Sequence, residues 1–244
     1  VKILEYTGKQ GRRSCKPVIA VAAALLWLVA GTAAAQQGPL TVSQVVQKYR
    51  DKVEQRLEPR FHYAGVAWPP SGRVTLLVIK ETRRMEVWAE QDGEWRPVRE
   101  YRIKGMSGEP GPKLKEGDRQ VPEGIYRIVR LNPNSGYHLS LKINYPNEFD
   151  RSQAEKEGRT RLGGDIYIHG QAVSRGCLAI GNNAVEELFV LASLIGKDRI
   201  SVLISPKDFR VHSIPPPAEG EPSWYRELNE EIAAGMLLYQ RERK

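Results

Sequence analysis

The sequence predicts a mainly β protein: a β-rich single domain with helical extensions at both ends. Three observations predict it. Between Arg73 and Pro206 the apolar residues come mostly in short runs bounded by glycine, proline, asparagine or aspartate, the pattern of strands and turns. The Asp-Gly pair in "QDGE" separates two such runs and marks a tight hairpin, because both residues tolerate positive φ. Apart from one internal run, apolar residues at helical spacing lie only near the two ends. With 244 residues, 41% hydrophobic and 27% charged, the chain suits one sizeable folded domain with extensions and does not have the composition of a disordered tail.

The first 35 residues have the layout of a secretory signal. Arg12, Arg13 and Lys16 form a basic stretch, "PVIAVAAALLWLVAG" an apolar one, and Ala33 and Ala35 an A-x-A cleavage pattern, so cleavage is expected after Ala35. The alternative is an uncleaved membrane anchor, although the apolar run is near the lower limit for spanning a bilayer. Cleavage would remove Lys2, Lys9, Arg12, Arg13 and Lys16 against Glu5, taking the formal charge from +8 to +4. So modest a charge argues against nucleic acid as the main partner. It would also remove Cys15 and leave Cys177 unpaired in an oxidising compartment, where a lone cysteine suggests a reactive thiol, an intermolecular bridge or a buried inert residue.

The elements follow in order. Residues 36–72 form an N-terminal helical extension and linker: Thr41 or Ser43 can cap a short helix whose apolar face is Val42, Val45, Val46, Tyr49 and Val53, and "AWPPSG" breaks it. Strands are expected in "RVTLLVIK", "RMEVWAE" and "WRPVREYRI". The Gly/Pro-rich "KGMSGEPGPKLKEGDRQVPEG" excludes regular structure, and so long a loop in a compact domain is usually functional. "IYRIV", "YHLSLKI", "DIYIHG" and "RISVLIS" are further strands. "NNAVEELFVLASLIG" is a helix that Asn183 can cap, with Glu186 three residues on and Gly196 ending it. Residues 206–244 comprise a Pro-rich linker and an amphipathic helix through Trp224, Leu228, Ile232 and Leu238.

The chemistry concentrates in "IYIHGQAVSRGCLAIGN". His169 ends an apolar strand and Cys177 follows a short loop, with glycine beside each. A cysteine attacks as its thiolate, and a neighbouring imidazole can take the proton. The N–H groups of Gly176 and Cys177 could receive the oxygen that becomes negative during acyl transfer. Taken singly, each residue is more simply a packed one; together they favour catalysis. Tyr137, His138 and Ser140 lie on a strand that could line the same cleft, while Asp118 and Asp165 suit turns. The dispersed histidines and the lone mature cysteine give no metal signature.

"IHG" followed by S-x-G-C resembles the signature of the L,D-transpeptidase catalytic domain, the cysteine enzymes of bacterial peptidoglycan. "EGDRQVPEGIYRI" and "LNPNSGYHLSLKINYPNEFDR" extend the resemblance over residues 73–205. The resemblance implies a β-sandwich-like mixed sheet domain with flanking helices, periplasmic or envelope-facing, needing no cofactor. It implies Cys177 as nucleophile, His169 as base, the Gly170 carbonyl as its orienting partner, and Gly176 as an oxyanion donor, with Ser174 completing the signature. Tyr137, His138, Ser174 and Arg175 are candidate substrate contacts. The family's commonest pattern has a histidine where this chain has Arg175, and a longer segment between base and nucleophile. In both respects the chain is similar to the branch with a murein amidase that detaches outer-membrane lipoprotein. Transfer onto peptidoglycan stem peptides and hydrolysis of the same bonds, with a wall-linked lipoprotein as possible partner, are both open. A non-catalytic wall-binding module is the reading from outside enzymology.

Overall fold

The computed structural model describes residues 38–240; the expected signal segment lies outside them. The described chain runs α1 (Val42–Tyr63), β1 (Val74–Ile79), β2 (Arg84–Gln91), β3 (Glu94–Arg102), β4 (Gly124–Ser135), β5 (His138–Ile143), α2 (Glu148–Lys156), β6 (Tyr167–His169), β7 (Leu178–Ala179), α3 (Asn182–Ile195), β8 (Ile200–Ser205) and α4 (Tyr225–Met236). Eight strands form one mixed sheet in the order β3-β2-β1-β8-β4-β5-β6-β7. The β1–β8 and β6–β7 pairs are parallel, and the other pairs are antiparallel. β4 changes partner along its length: Gly124–Arg127 pair with β8, and the residues from Ile128 onward with β5. It therefore joins the two halves of the sheet.

β1 is buried at every position because both faces of the sheet are covered. Val74, Leu76 and Val78 belong to the main core, together with residues of α1 and α3. Leu77 and Ile79 point the other way, into a second cluster with Trp88, Leu203 and the α4 residues Tyr225, Leu228, Ile232 and Met236. The hairpin at Asp92-Gly93 forms with φ of 56° and 82°, as its sequence predicts.

The helices depart from expectation in their details. α1 has 22 residues, longer than the spacing suggests; Thr41, not Ser43, caps it, in a reciprocal box with Gln44. α3 starts at Asn182, and Asn183 does not cap it; its N-cap is Gly181, without a side-chain bond. Asn182 instead accepts the Gln171 amide at 2.8 Å, which ties the start of α3 to the loop after β6. α2 was not anticipated as a helix, though Asn147 and Asp150 form a complete capping box. α4 ends before Leu238, which is exposed; Met236 takes the buried place. Among the described residues no helix is long and apolar enough to cross a membrane.

One ion pair lies wholly inside. Lys80 Nζ is 2.7 Å from Glu123 Oε1 and donates to the carbonyls of Gly111 and Val121. Glu123 also accepts the Gly111 amide and the Tyr225 hydroxyl. The end of β1, the Gly/Pro loop and α4 thus meet at one carboxylate, and every polar group there has a partner, as burial of charge requires.

Candidate active site

β6 and β7 hold the central pair. Ile168 lies beside Leu178 and His169 beside Ala179; one residue back, the same register sets Cys177 beside Tyr167. Side chains alternate along a strand and register partners share a face, so His169 and Ala179 fall on one face and Ile168 and Leu178 on the other, with Cys177 in the bend immediately before β7. Ile168 and Leu178 are fully buried in the main core. Hydrophobic burial therefore fixes the register, and with it the face that carries the histidine.

His169 is buried, and its Nδ1 lies 2.7 Å from the Gly170 carbonyl. A carbonyl only accepts, so Nδ1 carries the proton and Nε2 keeps its lone pair. Burial lowers the imidazole pKa from its usual value, against the bond to Gly170, and the ring is neutral at pH 7. The Tyr137 ring leans on it, centroids 4.6 Å apart at 36°. Gly170 is required by space: a Cβ there would come within 2.6 Å of the Tyr137 carbonyl oxygen and 2.7 Å of Asn182 Oδ1.

Cys177 is half-buried, with Sγ 3.7 Å from the Asp165 carbonyl oxygen. Burial pushes its thiol up, while the Tyr167 amide and the Lys113 ammonium pull it down; the net direction is up. Among the described residues no hydrogen bond joins Sγ to the imidazole. Both shifts favour the uncharged forms, thiol and imidazole, over the ion pair.

The expected oxyanion donors are both engaged. Cys177 N–H donates to Ser174 Oγ at 2.9 Å, and that hydroxyl donates back to the Cys177 carbonyl at 2.6 Å, closing a local turn. Gly176, at φ 90°, donates its N–H to Ser107 Oγ at 2.6 Å. Ser107 stands on the Gly/Pro loop, and nothing in the sequence around it singles it out.

That loop has a frame of its own. Gly105 bridges to Ala179 of β7. Asp118 accepts the amides of Leu114, Lys115 and Gln120, and its carboxylate meets Lys113 Nζ. Burial pushes the Asp118 carboxyl up, but Lys113 and the backbone amides hold it below the usual range.

The other sequence candidates divide. Tyr137 and Ser140 join His169: Ser140 is its register partner on β5. His138, at φ 78°, turns away from its neighbour Tyr137, and its Nε2 lies 2.9 Å from Glu186 of α3, with its ring against Tyr49 of α1. The structure does not bring it to the imidazole. Arg175 is exposed and has no ion pair among the described residues. Asp165 stands in the turn before β6 at φ 56°, its carboxylate on Lys142 at 2.6 Å.

A family model for the L,D-transpeptidase catalytic domain matches residues 73–202. The chain is 33% identical over 138 residues to YafK of Escherichia coli (strain K12), whose own L,D-transpeptidase assignment is provisional. The match covers 54% of this chain and 54% of YafK, so the chain spans about half the length of the curated relatives it matches. Among solved structures, the helical cell shape determining protein Pgp2 from Campylobacter jejuni is 27% identical, over 55% of this chain and 48% of that one, with a TM-score of 0.44. Bd1075 of Bdellovibrio bacteriovorus is 22% identical over 68% of this chain and 55% of that one, with a TM-score of 0.41.

Proposed function

Since the chain belongs to the L,D-transpeptidase catalytic domain family, we propose that it carries out cysteine-dependent acyl transfer on peptidoglycan stem peptides, in the periplasm or cell envelope. The observation that carries the reading is that β6 ends at His169 and pairs in parallel with β7, which begins immediately after Cys177.

In this mechanism the Cys177 side chain leaves the Asp165 carbonyl and turns toward His169. Nε2 takes the thiol proton as sulfur attacks the scissile carbonyl, and the Gly170 carbonyl steadies the imidazolium through Nδ1–H. The tetrahedral oxyanion collapses, the carbon–nitrogen bond breaks, and the leaving amine takes the proton from Nε2. A thioester on Cys177 remains. An incoming amine, deprotonated by His169, attacks it, and the thiol leaves reprotonated. Tyr137 provides an exposed aromatic wall beside the base. Arg175, exposed and without an ion pair among the described residues, suits a free carboxylate of the stem peptide.

Water can replace the amine in the second half, which makes the protein a murein amidase using the same residues. Arg175 in the place of a histidine keeps this second reading in view, with a wall-linked lipoprotein as its leaving group. Incubating the protein with murein and tetrapeptide donors, followed by mass analysis, separates the two. New cross-links or exchanged D-amino acids establish transfer, and released peptide or protein alone establishes hydrolysis. Unchanged murein, with no acyl adduct on Cys177, overturns both in favour of a wall-binding module.

A further inference from the structure

Building on the acyl-transfer reading, we propose that Ser107 is a displaceable stand-in for the substrate oxyanion, a positioning residue that holds the Gly176 amide until the substrate oxygen takes it over.

The two engaged amides are held in different ways. Ser174 is three residues from Cys177 and bonded to both its N–H and its carbonyl, so its hydroxyl cannot leave without undoing the turn. Ser107 lies 69 residues from Gly176 in the chain, on a separate loop. Its hydroxyl proton is committed to the Arg119 carbonyl at 2.7 Å, which turns an oxygen lone pair toward the Gly176 N–H. The oxygen that the amide sees is therefore an acceptor only, as a carbonyl oxygen or oxyanion would be. The backbone beside it is fixed, because Gly105 is bridged to Ala179, while the loop beyond is exposed at Gly108 and Glu109. A rotation of the Ser107 side chain about its own Cα–Cβ bond is enough to release the amide.

The arrangement has a chemical logic. An unpaired amide beside the nucleophile would be costly in a half-buried site. The hydroxyl satisfies the N–H in the resting protein at the strength of a neutral hydrogen bond. A developing oxyanion forms a charge-assisted bond and displaces it. The exchange favours the transition state over the neutral substrate carbonyl, which is the direction catalysis requires.

The test is the rate at which p-nitrophenyl acetate, a small donor that makes no use of murein contacts, acylates Cys177. Ser107→Ala frees the amide and is expected to acylate ~5-fold faster, the factor set by one neutral hydrogen bond, while Ser107→Thr keeps the wild-type rate. A rate in Ser107→Ala equal to or below wild type makes the hydroxyl a strut and overturns the proposal. A second measurement needs no variant: a crystal structure of the wild-type adduct with the peptide aldehyde acetyl-alanyl-alaninal. The hemithioacetal oxygen is expected on Gly176 N–H with Ser107 rotated away; Ser107 Oγ still on that amide overturns the proposal. If wild-type Cys177 accepts neither reagent, the acyl-transfer reading itself fails, a result distinct from either outcome for Ser107.

Discussion

The Tyr137 ring lies against the His169 imidazole at a centroid separation of 4.6 Å, while the next residue, His138, reaches the opposite way to Glu186 and Tyr49. The positive φ of His138 sends the two neighbours in different directions. Tyr137 thus covers the His169 imidazole, and its backbone is tied into the α1–α3 face through His138. In Tyr137→Ala the imidazole gains water, so its pKa is expected to rise toward the ordinary histidine value, and kcat to fall roughly tenfold as the ring loses a fixed orientation. Tyr137→Phe should retain both properties. NMR titration of His169 and steady-state kinetics check these outcomes.

The shifts at the two central residues give the pH profile a definite shape. His169 is lowered and Cys177 raised, so general-base attack needs only a neutral imidazole. Turnover is expected to rise through a pKa below about 6.5 and then stay level through neutrality. A rate that climbs only as the thiol ionises, above about pH 8.5, would refute base catalysis by His169. Stability follows the same signs. Unfolded His169 takes up a proton that the folded residue resists, so its contribution is present above the unfolded pKa and is lost as pH falls through the folded one. Cys177 behaves in reverse, and its contribution is lost as pH rises through its folded pKa.

The ion pair of Lys80 and Glu123 is expected to dominate the response of the domain to single substitutions. Lys80→Met strands a buried carboxylate and should cost about 3–5 kcal/mol in denaturant unfolding. The double variant Lys80→Met/Glu123→Gln should recover part of that loss, because a neutral amide tolerates burial better than a charge.

Asp118 holds the Gly/Pro loop through three backbone amides and Lys113. Asp118→Ala is expected to destabilise the domain by about 2–3 kcal/mol, in line with the loss of charge-assisted bonds, and to raise KM for murein peptides more than it lowers kcat. The carboxyl is held low in the folded state, so its contribution is present above its unfolded pKa and disappears as pH falls through the folded one. Thermal unfolding from pH 5 to pH 2 reads this loss.

Strand positions were legible because burial writes itself into composition. The run in β1 is apolar throughout since both faces are covered, and Asp92-Gly93 named its own turn. His169 and Cys177 stood out through residue type and neighbouring glycines. The missed features depend on contacts between residues remote in sequence. Ser107 acquires meaning only from Gly176, and Glu186, whose spacing suggests a helix-capping partner, instead bonds His138 and pairs with Lys52 and Arg56. Asn147 and Asp150 did carry a local signal for α2, and their cap could have been read from spacing alone.

The parallel course of β6 and β7 separates the length of the intervening segment from the geometry of reaction. Adjacent strands set where the second strand begins relative to the ring, while residues 170–176 carry the chain back and contribute the Gly170 carbonyl at one end and the Ser174 hydroxyl and Gly176 amide at the other. Insertions or deletions in that return path can reshape the mouth of the cleft and the choice of acceptor without moving the reacting atoms. The exposed Val173 and Arg175 on this path can thus vary without disturbing the strand pairing that sets the site.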